Sequence, residues 1–168
     1  MTEIRLARAA DARVMAVMSR ELIEAGLGWR WTPARVRSAM RDPETNAIVA
    51  CMGARPVGFA VMQYGETRAH LLLLAVAADC RRRGIGQALW DWLLASARVA
   101  GIGEVRLELR VGNTGARRFY RRLGCVEGAT VPGYYAGVEA ALQMRCALRR
   151  DTTPGPADGG AGEDSHTR

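Results

Sequence analysis

The stretch LLLLAVAADCRRRGIGQAL, Leu71 to Leu89, decides how the rest of the chain is read. It opens with an unbroken apolar run over residues 71–78, turns through RRRGIG at residues 81–86, and passes directly into a helical pattern. Strand, glycine loop and helix in that order form a device for holding phosphate. Small residues let the backbone turn its N–H groups inward, and the helix that follows adds its positive N-terminal end. With Arg81, Arg82 and Arg83 leading in, the loop reads as a pyrophosphate seat and points to a cofactor with a nucleotide tail.

The apolar run predicts a strand over residues 69–76, hydrophobic on both faces and therefore central and covered on both sides. Before it, strands are expected at residues 4–7, 47–52 and 57–64, the last two joined as a hairpin by Gly53-Ala54-Arg55-Pro56. Asp11 is placed to cap a helix in which Val14, Val17, Met18, Leu22 and Ile23 recur at helical spacing, ended by Gly26 and Gly28. Thr32 followed by Pro33 starts a second, short helix. After the loop, a helix over residues 85–100 stops at Gly101 and Gly103. Residues 105–111 alternate like a strand, and Asn113 opens a helix with Ala116, Phe119, Tyr120 and Leu123 on one stripe. Two last strands fall near residues 126–131 and 141–148. The remainder is too polar to fold on its own, so the chain reads as one domain over residues 1–149 and a disordered polar tail over residues 150–168.

A chain of 168 residues suits one domain with a real core. Its apolar fraction of 49% with only 6% aromatics fits an α/β protein and argues against disorder. No apolar stretch approaches the roughly 20 residues that span a bilayer, and the N-terminus lacks the order of a secretory signal. A soluble cytoplasmic protein is the expectation. All 24 basic residues are arginine, which reads as the codon usage of a GC-rich genome. The net charge of +7 favours anionic ligands or partners without choosing among a phosphate cofactor, nucleic acid and the ribosome. Cys51, Cys80, Cys125 and Cys146 show no paired spacing, and the only histidines are His70 and His166. No metal site is expected, and the thiols are expected to be reduced.

Two nucleotide-binding readings of the loop fall away. A dinucleotide fingerprint wants a third glycine where Leu89 stands, and wants it after the first strand, whereas this loop follows the fourth. A Walker loop needs a lysine, and the chain has none. What is left is a phosphate loop in a mixed sheet with a second helix opening at Asn113. The segments AVAADCRRRGIGQAL, LELRVGNTGARRFYRRLGC and GYYAGVEAALQM together resemble the GNAT superfamily of acetyl-CoA-dependent N-acetyltransferases. Within it they most resemble the ribosomal-protein alanine N-acetyltransferases and the archaeal N-terminal acetyltransferases. The resemblance is close over residues 70–148 and holds only in pattern before that.

The resemblance implies a GNAT fold: an α/β domain with a mixed, mostly antiparallel central sheet, splayed after the fourth strand and flanked by about four helices. It implies that Arg81, Arg82, Arg83, Gly84, Ile85, Gly86 and Gln87 wrap the pyrophosphate of acetyl-CoA. Leu74, Ala75 and Val76 would pair through their backbone with the pantetheine arm as with an added strand, the strands parting after Val76 to admit it. Asn113 would contact the cofactor from the next helix. Tyr120 resembles the family's general acid, a phenol that protonates the departing thiolate. Glu108, in LELR, resembles the base that takes the proton of the attacking amine. Flanked by Leu107 and Leu109, it reads as a carboxylate in partly apolar surroundings, with a raised pKa suited to that role. His70 is a second candidate base. Tyr134, Tyr135 and Glu139, in the loop before the last strand, match positions that shape a slot for a peptide N-terminus. The chain departs from the family at Cys125, where a phenylalanine is common, and at Ala140, where an acid is usual; neither position belongs to the cofactor machinery.

The leading expectation is acetyl transfer to the N-terminal α-amine of a protein, such as a ribosomal protein. A small amine (an antibiotic, a polyamine or an amino acid) is the alternative acceptor, since one fold serves many acceptors. A non-catalytic acyl-CoA-binding module is disfavoured by the presence of both Glu108 and Tyr120. A nucleic-acid binder is suggested by Arg117, Arg118, Arg121 and Arg122, but these more simply surround the phosphates of coenzyme A.

Overall fold

A computed structural model describes residues 1–149; the expected tail, residues 150–168, lies outside the described residues. Seven strands form one sheet: β1 (Thr2–Leu6), β2 (Thr45–Met52), β3 (Arg55–Tyr64), β4 (Arg68–Val76), β5 (Glu104–Arg110), β6 (Val126–Tyr135) and β7 (Glu139–Ala147). Their order is β1-β2-β3-β4-β5-β7-β6, antiparallel throughout except for the parallel pair β4–β5. Among the described residues there are four α-helices, α1 (Ala12–Leu22), α2 (Pro33–Arg41), α3 (Ile85–Val99) and α4 (Thr114–Arg122). This is the fold expected from the sequence.

The helices divide between the two faces of the sheet. On one face, Leu89, Trp90 and Leu93 of α3 and Tyr120 of α4 pack on Ile48, Met62, Leu71, Leu107 and Met144. On the other, Met15 and Ala16 of α1 and Val36 of α2 pack on Val49, Phe59, Val61 and Leu73. Thr32 caps α2 as expected, its side chain accepting the Arg35 N–H. Asp11 behaves differently: its carboxylate turns back to the Arg8 N–H at 2.7 Å and to the Arg5 guanidinium, and α1 starts without a side-chain cap. The Arg5 bond, with Arg8 contributing, holds the Asp11 carboxyl below its usual range.

Strand β4 explains why its run of leucines is apolar on both faces. Val61 pairs with Leu73 but Met62 with Leu71, so Leu72 is an extra residue, a β-bulge. Every odd residue from Ala69 to Ala75 is buried, yet the bulge reverses their direction. Ala69 and Leu71 face α3, whereas Leu73 and Ala75 face α1.

The bulge also marks where the sheet opens. Strands β4 and β5 pair from Arg68/Glu104 to Leu71/Leu107 and no further. The strands therefore part after Leu71, five residues earlier than the expected point at Val76. Strand β5 stays paired with β7 as far as Arg110. Residues 72–76 of β4 and 108–110 of β5 thus border a gap in the middle of the sheet.

The cysteines depart from expectation. Strands β6 and β7 pair Val126 with Arg145, and one step further on Cys125 stands opposite Cys146, with Cα atoms 4.2 Å apart and a disulfide between them. The residues are 21 apart in the chain with no paired spacing, so only the strand pairing brings them together. Cys51 and Cys80 are free and buried. The expected loop holding Tyr134, Tyr135 and Glu139 is also shorter than predicted, because both tyrosines end β6 and Glu139 starts β7.

Candidate active site

The loop between β4 and α3 has the features of an anion seat. No backbone N–H from Gly84 to Gln87 has an acceptor among the described residues; the helical ladder begins with Ala88 donating to the Gly84 carbonyl. Arg82 and Gly84 both have left-handed backbones, with φ of 60° and 78°, which curl the loop around those N–H groups. A Cβ on Gly84 would meet open space, so its glycine is required by conformation alone. Gly86 is different: a Cβ there would lie 3.3 Å from the Phe119 ring, so this glycine lets α3 pack on α4. The Gln87 side chain turns along its helix to Asp91 at 2.9 Å and leaves only its backbone to the loop. The Arg81 Nε approaches the Val76 carbonyl at 3.4 Å. Residues 81–87 and the unpaired edge of β4 therefore suit a pyrophosphate followed by an extended arm. Ala75 offers backbone only, since its side chain is buried beneath α1 and α2.

Of the other expected cofactor contacts, Asn113 is the N-cap of α4. Its Oδ1 accepts the Ala116 N–H at 3.1 Å, leaving the amide NH2 to offer. The arginines of α4 are not all directed to phosphates. Arg117 and Arg121 both bond Glu127 of β6, pinning the helix to the sheet edge. These bonds pull the Glu127 carboxyl down to about 2, the Arg117 hydrogen bond being the largest cause.

Tyr120 lies on the α3 side of the gap. It is buried, with the Trp90 and Phe119 rings edge-on at 5.9 and 5.0 Å. Its hydroxyl has no protein partner among the described residues, and no fully buried side-chain oxygen is left unpaired, so the hydroxyl reaches accessible space. Burial pushes its pKa well above the ordinary phenol value, which keeps the proton on the oxygen.

Glu108 lies on the opposite face. Leu107 and Leu109 point into the α3-side core and do not surround it, because neighbouring strand residues face opposite ways. The apolar setting expected for the carboxylate is therefore absent. Its neighbour is His70 of β4, whose Nε2 stands 2.5 Å from Oε2. Both belong to an open depression of about 370 Å³ that Gln63, Arg68 and Arg106 also line. The depression exists because the packing of α1 and α2 covers β2, β3 and β4 and leaves this part of β5 bare.

The rim beside Glu108 is built by parts that the sequence scatters. Tyr134 and Tyr135 pack edge-on with centroids 4.9 Å apart. Burial raises both phenol pKa values, and the nearby charge of Glu108 raises them further. The arginine of the LELR motif, Arg110, was not singled out as functional by its sequence. Its Nε donates to Glu139 at 2.7 Å, and its Nη1 donates to the Ala25 carbonyl at 2.6 Å and the Ile23 carbonyl at 3.4 Å. It thereby ties the segment between α1 and α2 to strands β5 and β7. Inside that segment, the buried Glu24 carboxylate accepts the Ser19 hydroxyl and the Arg30 and Trp31 N–H groups. The structure thus gathers Glu108, His70, Tyr134, Tyr135 and Glu139 on one side of the gap and places Tyr120 and the loop at residues 81–87 on the α3 side of the sheet.

Residues 15–125 match the acetyltransferase (GNAT) family. The chain belongs to that family. An uncharacterised N-acetyltransferase of Methanocaldococcus jannaschii is 37% identical over 97 residues, 57% of this chain and 62% of that protein. The ribosomal protein bS18-alanine N-acetyltransferase of Salmonella typhimurium is 33% identical over 81 residues, 48% of this chain and 55% of the other. The matches therefore span only about half to three fifths of these curated relatives. The crystal structure of Ard1 from Thermoplasma volcanium superposes with a TM-score of 0.79 at 30% identity, over 89% of this GNAT chain and 99% of Ard1. No helix among the described residues is long and apolar enough to cross a membrane.

Proposed function

We propose that this GNAT protein is a cytoplasmic enzyme that transfers an acetyl group from acetyl-CoA to the N-terminal α-amine of a protein. The observation that carries the reading is the arrangement across the gap. Glu108 with His70 stands on one face, and a neutral phenol, Tyr120, stands on the other. Bound in the gap, acetyl-CoA supplies an activated acetyl thioester. Its pyrophosphate would be held by residues 81–87, its arm by the free edge of Leu74, Ala75 and Val76, and Asn113 would add a contact from α4.

An α-amine has a reference pKa near 8 and arrives mostly protonated at neutral pH. Glu108 accepts that proton, directly or through water, with His70 fixing the carboxylate. As the new C–N bond forms and the C–S bond breaks, Tyr120 gives its proton to the departing sulfur. The two proton transfers occur on opposite faces of the sheet, so amine and thiolate do not compete for one group. Tyr134, Tyr135 and Glu139 line the approach to Glu108, and the names of the relatives favour a peptide N-terminus as acceptor.

The test is direct. The full chain is incubated with acetyl-CoA and a panel of peptides with free or blocked N-termini, followed by thiol release and peptide mass. An increase of one acetyl group on free N-termini alone is expected. Acetylation of small amines with none on peptides would overturn the acceptor, and no thiol release with any acceptor would overturn the enzyme.

A further inference from the structure

A second concavity, of about 390 Å³, lies between α1 and α2 and is lined by Arg13, Val17, Arg20, Trp29, Pro33 and Arg37. Its charge is one-sided. Six arginines occur from Arg13 to Arg41 against two acids, Glu21 and Glu24. Glu24 is buried and accepts bonds from Ser19, Arg30 and Trp31. Arg20 reaches only the adjacent, exposed Glu21, at 3.7 Å, and Arg13 and Arg37 have no ion pair among the described residues. Neither the family's cofactor seat nor the proposed acid and base use any of these side chains.

One segment, between α1 and α2, both walls the groove and is bonded to strand β5 on the acceptor side of the gap. Trp29 on its wall is followed by Arg30, whose N–H donates to the buried Glu24 carboxylate at 2.8 Å. Arg110 fastens the same segment to β5 through the carbonyls of Ile23 and Ala25. A peptide chain leaving the gap over this segment would pass Arg30 and then the arginine groove. We propose that this groove binds acidic side chains of the acceptor beyond its second residue, so that the acceptor class is proteins with acidic N-terminal segments. This rests on the peptide-acceptor reading above.

The chemistry of the groove favours carboxylates over nucleic acid. The guanidinium of Arg20 lies over the Trp29 ring at 4.8 Å, and that of Arg35 over Trp31 at 4.1 Å. The protein's own arginines occupy aromatic faces on which a base would stack. Stacking also holds the guanidinium planes in place, ready for forked bonds to carboxylates.

The experiment compares three peptides that share their first two residues and carry Glu/Asp, Gln/Asn or Arg at the third to sixth positions. On the wild-type full chain, kcat/KM for the acidic peptide should exceed that for the neutral one by roughly five- to tenfold, through KM, and the ratio should collapse near about 0.5 M salt. In Arg13→Glu/Arg37→Glu the acidic-to-neutral ratio should fall to one or below. Because the ratio is taken within each protein, partial unfolding does not alter it. A wild-type ratio of one, or a preference for the basic peptide, overturns the acidic class while leaving peptide acetylation intact. An undiminished ratio in the variant overturns the groove. No acetylation of any peptide overturns the peptide-acceptor reading itself. Inhibition of the acidic peptide by single-stranded oligonucleotide at submicromolar concentration, lost in the variant, would assign the groove to nucleic acid instead.

Discussion

His70 Nε2 and a carboxylate oxygen of Glu108 stand 2.5 Å apart, flanking the Leu71/Leu107 rung at which strands β4 and β5 last pair. The imidazole comes from one wall of the gap and the carboxylate from the other. Their contact joins the two strands across the mouth of the opening and fixes the acid's orientation toward it.

Replacing Glu108 with Gln keeps the side chain's size and removes its ability to take a proton. Activity should fall by about 10² or more near neutral pH and recover in part as the pH rises, because the acceptor amine then arrives deprotonated. Acetyl-CoA affinity should be preserved. A pH–rate profile of kcat/KM for a free-N-terminus peptide checks this; a uniform loss at every pH would make Glu108 a positioning group.

Removing the hydroxyl in Tyr120→Phe should lower kcat by about 10² to 10⁴, with little change in acetyl-CoA KM, since the proton is needed only as sulfur leaves. Among the described residues the hydroxyl has no protein partner, so thermal stability should hold or rise slightly. Steady-state kinetics with a melting curve separate the two effects. Unchanged kcat would leave Tyr120 as a packing residue beside Trp90 and Phe119.

The two loop glycines should fail in different ways. Gly84→Ala forces a side chain into a left-handed backbone at a cost of roughly 1–2 kcal/mol and should weaken coenzyme A binding by distorting the cradle. Gly86→Val pushes Phe119 away and should lower Tm, carrying Tyr120 with it. Arg82→Ala should have the smallest effect on binding. Calorimetric titration with coenzyme A beside thermal melting distinguishes them, and equal losses in all three would contradict a backbone-based seat.

Arg110→Leu cuts the link between the segment at Ile23 and Ala25 and the strands carrying Glu108 and Glu139. KM for the acceptor peptide should rise several-fold while acetyl-CoA KM stays constant. Arg110→Lys should rescue little, because one ammonium cannot reproduce the guanidinium's forked contacts. Equal changes in both KM values would show a general loss of fold.

Glu127→Gln tests the fastening of α4. The folded Glu127 carboxyl titrates at about 2, below the roughly 4.3 of a free glutamate. Its stabilisation is therefore complete above that free value and is lost as pH falls through the window toward 2. The variant should melt below wild type at pH 6, with the gap closing over that acidic window. A gap independent of pH would assign the effect to something other than the ion pairs with Arg117 and Arg121.

The sequence by itself determined the elements, the glycine loop between β4 and α3, and the family. These are local: apolar periodicity, the Thr32-Pro33 start, RRRGIG ahead of a helix, and Asn113 opening α4 all act within a few residues. Glu108 and Tyr120 stand out in the sequence as candidates, because the motifs around them resemble the family's. Tertiary structure alone decided what depends on strands meeting. The bulge at Leu72 reverses the facing of β4 and moves the opening to Leu71, and no residue type announces an extra residue in a ladder. Glu108 lies beside His70 and away from Leu107 and Leu109, because alternation sends neighbours to opposite faces while strand pairing brings in a residue 38 positions away. Strand pairing likewise brings Cys125 to Cys146, and the packing of α1 on the sheet brings Ala25 to Arg110. Contacts between distant segments depend on strand order and register, which are set by the packing of all the elements together.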